Sequence, residues 1–405
     1  MDYKFPVINH INDVLPYIKD RKEFIVAERD GFTIVNYNVV MPDTFSDDQE
    51  GWEIRRECRG ITFYEDGSIA ARKFQKFFNV GERDETQFNM ININKPHVIL
   101  EKLDGSMITP FQPGLIDRLD ADASKLEWHT KMGATDVAQP VNDFVSKNQQ
   151  YARYSAHVMA GNYTPIFEWC SRKNRIVIDY PEDRLVLVAM RHNETGEYLQ
   201  YDEMVKAKTH GIDVVEAYDA TFDADFLDYV RELIGIEGFV IRFDDGHMVK
   251  IKSEDYLKFH RARDAIAQEK NVWALILDAE VDDLKSFLLP EDRKRIEAFE
   301  KVLWNAVNDL VKAMEDRMTY AKNQLNKRDY SMFEDAGRER KKMFALEFTQ
   351  LSCDQLKPVM FRLYEGGHTR EVILDWIRNN LSTGTKLEKI RWLFNVRFNP
   401  GFVEE

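Results

Sequence analysis

Glu101-Lys102-Leu103-Asp104-Gly105-Ser106 follows directly on the apolar run Val98-Ile99-Leu100. The run reads as a strand, Asp-Gly is a strong turn signal, and glycine lets backbone approach a ligand closely. The stretch therefore delivers one lysine into a tight turn. Two readings are open: a hairpin carrying an exposed structural lysine, or a turn that presents a nucleophilic amine.

Working outward, Phe167-Glu168-Trp169, Ile236-Glu237-Gly238-Phe239-Val240 and Val249-Lys250-Ile251-Lys252 follow in that order. Each is a short apolar strand carrying a carboxylate or lysines. Lys250 and Lys252 are two residues apart on a strand, so both point to one face and can reach a phosphate bound there. A lysine is mostly protonated at neutral pH, so a nucleophilic Lys102 needs neighbours that favour its neutral form, and other cations do so. Glu168 and Glu237 are acceptors suited to a ribose hydroxyl or a metal ion, and Gly238 permits close backbone approach. Taken singly, each glutamate also reads as an edge-strand charge facing solvent.

The chain of 405 residues exceeds one average domain, which predicts two domains with separate cores. A hydrophobic content of 44% and a charged content of 31% are those of a soluble globular protein, and no segment has the length of a membrane span. The opening Met-Asp-Tyr-Lys has no apolar secretory stretch, which predicts a protein that stays in the cytoplasm where it is made. Cys58, Cys170 and Cys353 are far apart and odd in number, and no His-x-x-x-His pair occurs; both features argue against a disulfide framework and a structural zinc site. A net charge of −14 disfavours whole-surface affinity for nucleic acid but leaves room for a local basic channel. Basic patches stand at Arg55-Arg56, from Lys258 to Arg263, and at Arg338-Glu339-Arg340-Lys341-Lys342, each readable as a solvated face or as part of a groove.

Along the chain, Asn12 to Lys22 reads as a short helix, followed by strands at Phe24-Ile25-Val26 and from Phe32 to Tyr37. Met41 to Gly51 reads as an acidic surface loop. Cys58 to Phe63, Glu65-Asp66-Gly67 and Ile69 to Phe74 form a hairpin pattern with an Asp-Gly turn, placing Arg59 and Lys76 near the ends of adjacent strands. A strand ends in Lys131, Asp136 to Tyr151 is helical, and Tyr163 to Asp179 returns to strands interrupted at Ser171-Arg172-Lys173-Asn174. Leu185 to Met190 with the turn Asn193-Glu194-Thr195-Gly196-Glu197 predicts another hairpin, and Asp244-Asp245-Gly246 joins the last two strands. Composition then shifts: Ile296, Phe299, Leu303, Val307, Leu310 and Met314 recur at helical spacing. Helical patterns return at Met343 to Gln350, Leu356 to Tyr364 and Thr369 to Asn380, with Thr369 as a cap and Gly366-Gly367 as a stop. The boundary falls near residue 264.

The ordered motifs around Lys102, Glu168, Glu237 and Lys250-Ile251-Lys252 resemble those of the covalent nucleotidyltransferases, which comprise the ATP-dependent DNA and RNA ligases and the mRNA capping enzymes. Glu57-Cys58-Arg59-Gly60, Glu101 to Ser106, Asn193 to Tyr198, Lys250-Ile251-Lys252-Ser253, Asp282-Asp283-Leu284-Lys285 and Leu363-Tyr364-Glu365-Gly366 narrow the resemblance to the RNA ligase 1 family of the T-even phages. That resemblance implies an α+β fold: a strand-rich nucleotidyltransferase domain with antiparallel sheets over residues 1–264, then an all-α C-terminal domain over 265–405 concerned with RNA or tRNA specificity.

The resemblance further implies that Lys102 is adenylylated by ATP, with Tyr37, Arg59, Lys76, Glu168, Glu237, Gly238, Lys250 and Lys252 in the ATP site. Guanidinium and ammonium suit Arg59 and Lys76 to the triphosphate or to an incoming 5′-phosphate. Lys131 and Tyr256 match further positions needed for ligation, and Asp282 matches a metal-binding position, with Mg²⁺ the expected ion and Mn²⁺ an alternative. The implied partner is RNA with 5′-phosphate and 3′-hydroxyl ends, typically a tRNA broken in its anticodon loop, acted on by a monomer. Two other readings share the motifs: a DNA ligase or capping enzyme, which usually carries a small β-barrel where this chain turns helical, and a catalytically silent RNA-binding homologue, which would have lost a motif lysine or glutamate.

Overall fold

The computed structural model describes residues 3–115, 117–172 and 175–401. The fold is α+β, and the chain divides into two compact units, Met1–Leu257 and Lys258–Glu405. The break comes within one helix, Glu254–Ala267.

In the first unit the strands are β1 (Phe24–Arg29), β2 (Phe32–Tyr37), β3 (Arg59–Tyr64), β4 (Ile69–Ala71), β5 (Phe78–Asn79), β6 (His97–Lys102), β7 (Ser106–Phe111), β8 (Glu127–His129), β9 (Tyr163–Cys170), β10 (Arg184–His192), β11 (Asp213–Val214), β12 (Gly238–Phe243) and β13 (Met248–Lys252). They form sheets in the orders β1-β2-β3-β4, β11-β10-β9-β7-β8 and β5-β13-β12-β6. Pairing is antiparallel apart from the two short flanking strands, β11 on β10 and β5 on β13.

The opening stretch is therefore not a hairpin. β6 belongs to one sheet and β7 to another, and Leu103-Asp104-Gly105 carries the chain between them. The Asp-Gly signal marked a change of direction correctly; it holds no information about which strands pair afterwards. Gly105 is required by a close approach: a Cβ there would lie 2.5 Å from the Trp169 carbonyl oxygen on β9.

The β5-β13-β12-β6 sheet alternates as a half-buried sheet should. Ile99, Phe239, Ile241, Phe243, Val249 and Ile251 pack on one face against Phe226, Leu227 and Val230 of the helix Ala224–Glu232. Leu100 on the other face joins the core of the five-stranded sheet, which is closed by the helices Ala138–Lys147 and Gln150–Ala160. Lys102, Lys250 and Lys252 share that second face. The Asp66-Gly67 and Asp245-Gly246 turns form as the sequence predicts, with Gly67 at φ 85 and Gly246 at φ 86.

Several expectations need correction. Asn12 to Lys22 yields only a 3₁₀ turn and the one-turn helix Leu15–Ile18, because Pro16 permits a helix start but not a helix interior. The turn after β10 returns only as a single bridge between Arg191 and Tyr198, and β10 pairs with β9 and β11 instead. Arg55 and Arg56 are neither a solvated face nor a groove: both are buried, with Arg55 donating to the carbonyls of Thr44 and Glu50 and Arg56 paired with Glu85. Of the Ser171-Arg172-Lys173-Asn174 interruption, Lys173 and Asn174 lie outside the described residues.

The second unit is helical. Its longest element is Pro290–Asn326, whose buried Ile296, Phe299, Leu303, Val307 and Met314 are the spaced apolar residues of the sequence. They share a core with Trp273, Met360, Ile373 and Trp376. Thr369 is the first residue of the helix Thr369–Asn379 and His368 is its N-cap. No helix among the described residues is long and apolar enough to cross a membrane.

Candidate active site

Register places three of the expected residues in one row: Gly238 on β12 pairs with Lys102 on β6 and with Lys252 on β13. Cross-strand partners point to the same face, so the two ammonium groups lean over a position that has no side chain. Simple alternation would send Glu237, one residue before Gly238, to the opposite face. Instead its Oε1 accepts from Lys102 Nζ at 3.0 Å and from Lys252 Nζ at 2.9 Å. Gly238 allows this: its φ of 146 is closed to side chains, and a Cβ would lie 1.9 Å from the Ile251 carbonyl oxygen. Glu237 is 4% exposed, whereas Lys102 and Lys252 are 22% and 19% exposed, so the carboxylate is sealed beneath two reachable amines.

Glu168 comes from the neighbouring sheet. Phe167 and Trp169 are buried in the core of that sheet, and the intervening Glu168 projects the other way, where its charge acts on Lys102. It pairs with Met107 across β7 and β9, and the Arg59 Nη1 group stands 3.8 Å from the Met107 sulfur. Arg59, Lys76 and Lys131 in turn surround Tyr37. Burial works to raise that phenol, but the three cations and a hydrogen bond from Arg59 outweigh it and leave it below the ordinary tyrosine value. Lys76 Nζ lies 5.6 Å from the Tyr37 ring centroid.

The electrostatics differ from the sequence expectation at one point. Burial disfavours the Lys102 ammonium, but Glu237 and Glu168 favour it more strongly, so its pKa is raised rather than lowered. The depressed lysine is Lys250, pushed down to about 7 by burial and then by Lys102, Lys76, Arg59 and Lys252. Cations do crowd the site; Glu237 shields Lys102 from them, and among the described residues no carboxylate is paired with Lys250.

Asp104 and Tyr256 lock the lysine turn from below. Asp104 Oδ2 accepts from the backbone amides of Val177 and Ile178, each at 2.7 Å, and Oδ1 accepts from the Tyr256 hydroxyl at 2.8 Å. Tyr180 accepts from the Asp104 amide at 2.8 Å. The Tyr256 ring lies under Lys252 Nζ at 4.8 Å, and burial followed by Glu237 and Asp104 drives its hydroxyl far above the ordinary value. Tyr256 therefore donates and does not ionise.

Tyr37, Arg59, Lys76, Lys102, Lys131, Glu168, Glu237, Gly238, Lys250, Lys252 and Tyr256 are thus linked through one another. Asp282 belongs to the second unit, on the short helix Val281–Lys285, with its side chain 82% exposed and paired with Lys285. Among the described residues no group of three or more His, Cys, Asp or Glu side chains could hold a metal ion.

A family model described as RNA ligase matches residues 57–257, which hold all the linked residues but Tyr37. The chain belongs to the RNA ligase family. This RNA ligase is 29% identical to the "Putative RNA ligase" of Thermovibrio ammonificans over 68% of this chain and 70% of that protein. It is 26% identical to RNA ligase 1 of bacteriophage TS2126 over 60% of each chain. A solved archaeal ATP-dependent RNA ligase superposes with a TM-score of 0.42 at 14% identity, over 87% of this chain and 95% of that one.

Sequence reading missed several residues of the RNA ligase that support the site. Glu57 is buried between two arginines: Arg191 donates to its Oε1 and Oε2 at 2.7 Å, and Arg72 Nε donates to Oε2 at 3.1 Å. A signal was present, since Ala70-Ala71-Arg72-Lys73 and Val188-Ala189-Met190-Arg191 each place a cation directly on an apolar strand. Such cations, when buried, need a partner.

Proposed function

We propose that the chain is an ATP-dependent RNA ligase in which Lys102 is the nucleophile. The observation that carries the reading is the row Lys102-Gly238-Lys252 above the sealed Glu237 carboxylate, with Lys250 held near neutrality beside it. ATP would lie over Gly238, its ribose hydroxyls toward Glu168 or Glu237 and its phosphates toward Arg59, Lys76, Lys250 and Lys252. Lys102 gives up its ammonium proton and attacks the α-phosphorus as the neutral amine; a P–N bond forms, the bond from that phosphorus to the oxygen bridging to the β-phosphate breaks, pyrophosphate leaves, and the nitrogen releases a second proton to solvent. An RNA 5′-phosphate then takes the AMP, and a 3′-hydroxyl displaces it to seal the strand.

One carboxylate suits an ion that arrives on ATP, because Mg²⁺ is commonly held by one or two carboxylates together with substrate phosphates. Glu168 is the residue that would hold it, since Glu237 is sealed beneath Lys102 and Lys252, and bound there the ion would neutralise polyphosphate charge. The helical region 265–405 is assigned the choice of RNA, with broken tRNA as the expected substrate of a monomer. The helix Ala336–Met343 supports this: it buries no residue, and Lys341 and Lys342 are exposed and pair with Glu365 and Glu339. Exposed pairs of this kind contribute little and yield readily to a phosphate.

The test is incubation with α-labelled ATP and Mg²⁺, then a chase with 5′-phosphorylated single-stranded RNA or nicked DNA. Label should enter the protein and leave with RNA. Sealing of nicked DNA with RNA untouched would replace this reading with a DNA ligase, and an unlabelled protein would support a silent RNA-binding homologue.

A further inference from the structure

Arg59 is reached through an irregularity in the sheet. Along β2 and β3, Val35 pairs with Ile61 but Asn36 pairs with Arg59, so Gly60 is an extra residue on its strand. Its φ is 83, and a Cβ on it would lie 2.7 Å from the Lys131 carbonyl oxygen and 2.8 Å from the Lys131 Cα. A bulge of this kind bends the strand and re-aims the side chain beside it, while its own carbonyl is left out of the ladder. Here that carbonyl is taken by Lys73, a lysine 2% exposed, whose Nζ donates to Gly60 O at 2.6 Å and to Thr62 Oγ1 at 2.9 Å. The Thr62 hydroxyl donates to the same carbonyl at 3.1 Å.

We propose that Lys73 is a positioning residue: by capturing the Gly60 carbonyl it fixes the bulge that aims Arg59 at the nucleotide phosphates and seats the Lys131 backbone against the same glycine. The inference rests on the RNA ligase reading above. No carboxylate is bonded to Lys73 among the described contacts, and burial lowers its pKa to about 7. A neutral amine has two N–H donors, matching the two acceptors that face it. Its own carbonyl accepts from Arg191 at 2.6 Å, and Lys76 N donates to Arg56 O at 2.7 Å, so the segment bearing Lys73 also carries Lys76 alongside Arg59.

The experiment measures Lys102 labelling against ATP concentration for the full chain and for Lys73→Met, with thermal melting as a fold control. Lys73→Met keeps the stem and removes the donors. Its KM for ATP should rise by roughly tenfold or more, with a smaller fall in the rate at saturating ATP, because a misaimed Arg59 weakens phosphate capture without touching the nucleophile. Thr62→Val, which takes away one acceptor, should raise KM in the same direction by less, and it decides the matter if Lys73→Met does not fold. A folded Lys73→Met, or in its absence a folded Thr62→Val, with unchanged KM overturns the proposal and leaves Lys73 a structural residue. Failure of the RNA ligase reading is distinguishable, because it shows in the unaltered chain and not in a variant: that chain would either not be labelled or, once labelled, would seal nicked DNA and leave RNA untouched.

Discussion

The first unit contains two carboxylates that each lie between two cations, and they serve opposite ends. Glu57 is gripped by Arg72 and Arg191 with all three side chains at most 1% exposed. Glu237 is held by Lys102 and Lys252, which keep about a fifth of their surface open to solvent, at 22% and 19%. Arginine cannot lose its proton and fills a carboxylate's lone pairs from a planar fork, so the Glu57 cluster is closed and permanent. Lysine offers a single mobile point charge that can become a neutral amine. The same charge pattern is a structural clamp when built from buried arginines and a reactive pair when built from half-open lysines.

Replacing one cation in the open cluster by its stiffer counterpart is the severest way to break this comparison. Lys102→Arg retains a positive partner for Glu237 but offers no nucleophile, and labelling by α-labelled ATP should fall by more than about a thousandfold while the melting temperature holds. The converse test is made on the closed cluster. Glu57→Ala leaves two arginines buried without their carboxylate and should cost roughly 3–5 kcal/mol in urea unfolding, far more than Glu237→Ala. Equal losses for the two would erase the distinction drawn here.

Lys252→Ala should impair labelling by about 10–100-fold, less than loss of the nucleophile, because phosphate contact is weakened and Lys102 keeps Glu237 to itself. Glu237→Gln sharpens the electrostatic side. With the carboxylate gone, the ammonium form of Lys102 loses its largest support, its pKa falls, and the acid limb of the labelling rate should move to lower pH even as the maximum drops. A limb that stays in place would mean that Glu237 does not control the nucleophile's proton.

A smaller effect concerns stability. Lys73 titrates near 7 when folded and near the ordinary lysine value when unfolded, so between those limits the unfolded chain binds more protons and folding is favoured as pH rises. Lys73→Met should remove that slope, by about 1.4 kcal/mol per pH unit at most, in urea titrations taken from neutral to alkaline pH.

Much of this was legible in the sequence where local chemistry decides the outcome. The alternation Val249-Lys250-Ile251-Lys252 gives the lysine face, the Asp-Gly turns at Gly67 and Gly246 form as read, and the spaced apolar residues of Pro290–Asn326 lie in a helix core. The failures lie where partner choice decides. Asp104-Gly105 turns the chain into a second sheet rather than back on the first. Arg55 and Arg56 look like surface charge until the loop carbonyls that enclose them are seen. The direction of the Lys102 shift depends on a carboxylate brought round by the backbone angle of Gly238, which no periodicity encodes. Arg191 is far in the chain from Glu57, Arg72 and Lys73, and the four acquire their meaning only on folding.

The central claim is that Lys102 carries the nucleotide. Peptide mapping of the protein labelled with α-labelled ATP tests it most directly. The account predicts AMP on Lys102 alone and none on the Lys102→Ala protein; AMP on Lys250 or Lys252, or strong labelling of Lys102→Ala, would contradict it.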